Sequence, residues 1–72
     1  MLIRLAIDST LAESPIIYDP NAETLTMTFK QTGRTIEYQD VTAEEWDDIQ
    51  QTPSFGKYWH AVIKGKQFRR IN

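Results

Sequence analysis

Residues 23–39 read Glu23-Thr24-Leu25-Thr26-Met27-Thr28-Phe29-Lys30-Gln31-Thr32-Gly33-Arg34-Thr35-Ile36-Glu37-Tyr38-Gln39, and their alternation decides the fold. Leu25, Met27 and Phe29 share one side of an extended chain, and Thr24, Thr26 and Thr28 share the other. That two-residue period belongs to a half-buried strand. Ile36 and Tyr38 then alternate with Thr35, Glu37 and Gln39 in the same way. Between the two runs, Lys30–Arg34 supplies a turn, with Gly33 able to take positive φ without steric cost. The segment predicts a β-hairpin with one apolar face.

Upstream, Pro15-Ile16-Ile17-Tyr18 reads as a short strand. Asp19-Pro20-Asn21-Ala22 is turn chemistry, since Pro20 sets φ and the Asp and Asn side chains can bond nearby backbone. Ile16–Tyr18 is therefore expected to pair with Thr24–Phe29. Ile3, Leu5 and Ile7 also alternate, predicting an additional strand over residues 2–7 at a sheet edge, with Ser9–Ser14 as a connector. Downstream the period changes. Val41-Thr42-Ala43-Glu44-Glu45-Trp46 holds a capping box, Thr42 with Glu45, flanked by Val41 and Trp46 at the staple positions. Pro53 biases Thr52 away from helical geometry, ending this helix near Gln51. Ser54 is placed to cap a second helix over about Phe55–Lys64, with Gly65 suited to C′. Gln67–Ile71 can return as a strand. The order β-β-β-β-α-α-β predicts an α+β fold, a small antiparallel sheet with two short helices on one face.

Seventy-two residues make a single small domain, with a core contributing roughly 3–5 kcal/mol. There is no cysteine, which removes disulfides and thiolate metal sites from consideration. Leu2–Ile7 is too short an apolar run for a signal peptide or membrane span. A cytoplasmic chain that does not engage membranes is expected, and a homodimer would bury more surface. Charge is more informative. All ten acidic residues lie before residue 49, whereas residues 55–72 carry Lys57, Lys64, Lys66, Arg69 and Arg70 and no acid. The net charge of −2 thus conceals a dipolar molecule with a basic, aromatic-rich end suited to an anionic partner.

The same landmarks resemble the KTSC domain, a small module found at the C-terminus of some lysyl-tRNA synthetases and alone in bacterial and phage proteins. The likeness runs from Ser9-Thr10 through Tyr18-Asp19-Pro20, Thr24-Leu25 and the hairpin to Val41 and the acidic helix. It is most specific at Gly56-Lys57-Tyr58-Trp59, followed by Ile63-Lys64-Gly65-Lys66 and a terminal aromatic–basic strand. The chain has Gln67-Phe68 where the family pattern has an aromatic–Pro–aromatic step, and His60 where it often has Asn. Residues 2–7 are largely additional to it. The resemblance implies an accessory module without enzymatic activity, for which the synthetase setting suggests nucleic-acid contact.

Residues 54–66 hold the main site candidates. If Ser54 caps the helix, the free N–H groups of Phe55, Gly56 and Lys57 form its positive end. Gly56 then permits close approach, and Lys57 adds a full charge, as an anion site requires. Phe55, Trp59, Val62 and Ile63 make an apolar stripe, with Lys57, His60 and Lys64 along another side. Trp59 is read as core. Tyr58, at the boundary, and Phe68 are read as surfaces for stacking on a base or meeting a partner. Lys66, Arg69 and Arg70 complete the basic set, although strand geometry sends Arg69 and Arg70 to opposite faces. His60 has neither a nucleophile nor companion ligands at useful spacing. The cluster Glu44, Glu45, Asp47 and Asp48 is explained by helix-start electrostatics. No catalytic residue, metal or cofactor is therefore expected. Two functions fit: recognition of a phosphate-bearing partner, RNA or a nucleotide, or docking on a host protein such as RNA polymerase by a phage-type or bacterial regulator.

Overall fold

The computed structural model describes all 72 residues. Its centre is the expected hairpin, formed by β3 (Thr24–Thr28) and β4 (Thr35–Tyr38), with Met27 opposite Ile36 and Leu25 opposite Tyr38. Gly33 closes the turn at φ 71°, and its N–H donates to the Phe29 carbonyl. β2 (Ile16–Asp19) and β1 (Ile3–Leu5) add on one side, and β5 (Phe68–Arg70) on the other. All neighbours are antiparallel, in the order β1-β2-β3-β4-β5. This meander leaves β1 and β5 as two free edges.

The side chains that alternate inward form the core. Ile16, Tyr18, Leu25, Met27, Ile36 and Tyr38 are buried on one face of the sheet, covered by Val41, Trp46, Ile49, Phe55 and Ile63. No polar residue other than tyrosine and tryptophan lies among them. α1 (Ala43–Gln51) starts with the full capping box: Thr42 Oγ1 accepts the Glu45 N–H, while a Glu45 carboxylate oxygen accepts the Thr42 N–H. The β2–β3 turn is held by Asp19, whose carboxylate accepts the N–H groups of Asn21 and Ala22.

Three features depart from the sequence reading. The Ser9–Ser14 connector contributes to the core, because Ala12 is fully buried and bridges Phe29. The Glu13 N–H donates to the Thr28 carbonyl, and the Lys30 N–H to that of Leu11, so this segment lengthens the ladder beside β3. The second helix is α-helical only over α2 (Phe55–Tyr58) and continues as a π-turn over Trp59–Ile63, closed by Lys64 N–H to the Trp59 carbonyl. In an ideal α-helix residues four apart rotate about 40° past one turn; the wider π-turn reverses that drift. Phe55 and Ile63 consequently both reach the core. Lastly, Gly65 does not adopt the left-handed C′ conformation. A turn closed by Lys66 N–H to the Ile63 carbonyl redirects the chain into β5.

Adjacent residues of β3 test this division of faces. Leu25 is fully buried and Thr26 half-exposed on the opposite face. Leu25→Ala should cost about 2–5 kcal/mol, a large share of total stability, whereas Thr26→Ala should change it by less than about 1 kcal/mol. Equilibrium urea denaturation of the two variants checks both values.

Candidate anion-binding surface

Residues 54–63 pack on the helix side of the sheet, and Phe68 and Arg70 of β5 project to the same side. Ser54 caps α2 through its hydroxyl, which accepts the Lys57 N–H at 3.3 Å, and its carbonyl accepts the Tyr58 N–H. One of the three N–H groups expected to face an anion, that of Lys57, is thus satisfied within the chain. Gly56 is half-buried, and the space where a Cβ would stand is bounded at 4.0 Å by Leu11. The anion pocket expected at Ser54–Lys57 is therefore reduced to an exposed Lys57 beside a single helical turn.

The solvent side of this helix is continuous. Lys57, His60, Ala61 and Lys64 are all exposed, at the spacing of one helical face. Beside them an aromatic cluster rises from core to surface. Trp59, half-buried, meets Phe29 edge-on at 5.4 Å and Tyr38 at 6.4 Å between ring centroids, and His60 leans on Trp59 at 4.9 Å. Tyr38 in turn contacts Phe68 at 5.9 Å, and Phe68 is 62% exposed. Phe68 faces the helix side because it pairs with Tyr38, as does Arg70 opposite buried Ile36. Phe29 and Tyr38, treated as core positions in the sequence, are the links that join Trp59 to Phe68. Only cross-strand register and the helix crossing bring them together.

The basic residues separate into two groups. Lys66 is held within the fold: its ammonium contacts a Glu45 carboxylate oxygen at 2.9 Å and donates to the Asp40 carbonyl at 2.8 Å. Asp40 sits at φ 59°, a left-handed conformation that aspartate tolerates better than most residues. Arg69 lies on the opposite face of the sheet and pairs with Glu37 at 3.2 Å. With the arginine so exposed, that pair is worth about 0–1 kcal/mol. Lys57, Lys64 and Arg70 have no carboxylate partner. Tyr58 points away from this surface, towards α1, with its hydroxyl 3.4 Å from an Asp48 carboxylate oxygen. The aromatic side chains on the β5 side of the helix are those of Trp59 and Phe68, linked through Tyr38. The Trp59 indole N–H is buried without a hydrogen-bond partner. It leans on the Tyr38 phenol closely enough to moderate the rise in pKa that burial gives Tyr38, but not in hydrogen-bond geometry.

Comparison with known proteins agrees with this architecture. The model of the KTSC domain family matches residues 9–68. The chain belongs to the KTSC domain family. A crystal structure of a KTSC domain protein from Yersinia pestis superposes with a TM-score of 0.87 at 27% identity, covering 100% of both chains. The likeness to that KTSC domain thus extends over residues before 9, where β1 lies. No curated protein matches the chain. No helix of this KTSC domain is long and apolar enough to cross a membrane. No group of three or more His, Asp or Glu residues is placed to hold a metal ion.

Two titrations test the electrostatics. Burial is the main cause that raises all three phenols, Tyr18, Tyr38 and Tyr58, above the ordinary value of 10.0. For Tyr58, Asp48 and Glu45 add to burial and push it up to about 12. Each folded phenol holds its proton more tightly than the unfolded chain does. This stabilisation is complete below pH 10 and declines as pH rises beyond it. Ultraviolet titration should show no tyrosine ionising at the ordinary value, and Asp48→Asn should bring the Tyr58 transition down. Glu45 behaves oppositely. Burial would raise its carboxyl, but the Thr42 N–H and Lys66 outweigh that and hold it below 4.5. Its stabilisation is present above that value and fades as pH falls through the depressed pKa. Lys66→Met should return the carboxyl towards 4.5 and destabilise the fold by about 1–2 kcal/mol at neutral pH. Carboxyl NMR titration and denaturation at pH 7 and pH 3 measure both effects.

Proposed function

We propose that this KTSC domain is a non-catalytic binding module for a phosphate-bearing partner, a single-stranded RNA or a nucleotide. The observation that carries this is the juxtaposition of free cations with a surface-reaching aromatic cluster. Lys57 and Lys64 line the exposed helix face, Arg70 lies on the same side of the sheet, and Trp59 and Phe68 belong to the cluster between them. Single strands are held in this way, with cations along the phosphates and bases stacked on aromatic faces, each stack worth about 1–3 kcal/mol. His60 adds a second flat ring against Trp59. The regulator reading, in which the domain docks on a host protein, has the open β5 edge in its favour.

A fluorescent ten-nucleotide uridine RNA provides the test. Three phosphate contacts on a single strand give a slope of about −2 in log affinity against log salt. Binding should therefore weaken about 20-fold between 50 and 200 mM salt. Lys57→Glu with Lys64→Glu should reduce the slope to about −0.7, leaving the contact from Arg70. Affinity that is insensitive to salt, or undiminished in the double variant, refutes the proposal.

A further inference from the structure

The β5 edge has a polarity that the phosphate reading does not use. Hydrogen bonds at both ends of the β4–β5 ladder, Gln39 N–H to the Gln67 carbonyl and Ile71 N–H to the Thr35 carbonyl, establish which residues bond inward. In an antiparallel ladder such pairs recur at every second residue. Gln67, Arg69 and Ile71 therefore turn their backbone groups to β4. The N–H and C=O groups of Phe68 and Arg70 face out of the sheet. All three residues of β5 are exposed, Phe68 at 62%. No proline or bulge blunts the strand, and no segment of the chain pairs with its outer side.

We infer that this edge accepts an extended acidic peptide as a sixth strand. Charge decides the occupant. A second copy pairing β5 with β5 in full antiparallel overlap sets Arg69 against Arg69, and pairing β5 with the β1 edge sets it near Arg4. Like charges directly opposite destabilise a ladder, and arginines on both edges discourage self-association. The same arginines favour a strand carrying carboxylates. Phe68 and Arg70 lie two residues apart on one face. The incoming strand then needs a carboxylate beside Arg70 and an apolar side chain, two positions along, beside Phe68. Arg69, on the other face, already has Glu37, so the intervening position is permissive. Backbone bonds supply affinity and the two alternate side chains supply selectivity, as in strand addition generally. The inference does not depend on RNA binding, although an acidic strand would share Arg70 and Phe68 with an RNA.

The probe is a capped nine-residue peptide, Glu-Thr-Val-Thr-Glu-Thr-Val-Thr-Glu, whose glutamates and valines alternate along one face of the strand, compared with the same peptide carrying lysine for glutamate. Amide hydrogen exchange is followed by NMR in the intact domain. With peptide at about ten times its dissociation constant, exchange at Phe68 and Arg70 should slow about tenfold, and the lysine peptide should have no effect. Arg70→Glu, at an exposed position, should reverse this preference. Lys57→Glu with Lys64→Glu, which tests the RNA site, should leave peptide protection intact. The inference is overturned if the acidic peptide does not bind, if it binds without protecting the two amides, or if the lysine peptide protects them equally. A uridine oligomer that binds without protecting these amides would support a separate RNA surface and leave the strand site to stand on the peptide result.

Discussion

The Tyr18 side chain is the contact on which the rest of the structure depends. Its ring stacks on Trp46 at 4.8 Å with planes 10° apart, and its hydroxyl donates to the Val41 carbonyl at 2.7 Å. One residue of β2 thereby secures both the entry to α1 and the first turn of that helix. A buried hydroxyl without an acceptor would cost about 1–3 kcal/mol, so Val41 has little freedom to move. The Val41 N–H, in turn, donates to the Glu23 carbonyl at the β2–β3 turn. Sheet and helix are joined through this residue.

The chain after α1 is tied back to that helix. Glu45, placed by the capping box, receives Lys66, and the Asp40 carbonyl receives the same ammonium. That clamp starts β5 beside β4 and leaves Phe68 and Arg70 on the helix side. Acidic residues of the first half and basic residues of the second are thus partly reconciled within the molecule. Of the basic residues after α1, Lys57, Lys64 and Arg70 remain without a carboxylate partner, two on the exposed helix face and one at the open edge. Fewer charges are available for a partner than composition suggests.

The hairpin, the capping box and the change from a two-residue period to a helical one were all legible in the chain, because each depends on neighbours within about four residues. The π-turn was not. Phe55, Trp59 and Ile63 at four-residue spacing suit an α-helix locally, and only the requirement that Phe55 and Ile63 meet one sheet selects the wider turn. Ala12 was hidden for a similar reason, since a single alanine in a polar connector carries no period. Gly65 suggested a left-handed cap; the Lys66 clamp turns the chain by another route. Helix rotation, which depends on packing, decides that Tyr58 meets Asp48 while Trp59 meets Phe29 and Tyr38.

By itself the sequence determined the strands, the first helix, their order and the apolar face of the sheet, since these follow from alternation, capping and turn chemistry along the chain. Tertiary structure alone decided which cations are free. Whether Lys66 or Arg69 meets a carboxylate depends on Glu45 and Glu37 arriving from distant elements, and Coulomb attraction at about 3 Å responds to that distance, not to sequence separation. Tertiary structure also decided which backbone groups of β5 face outward, because that depends on the register with β4. The candidate surface is composition sorted by register.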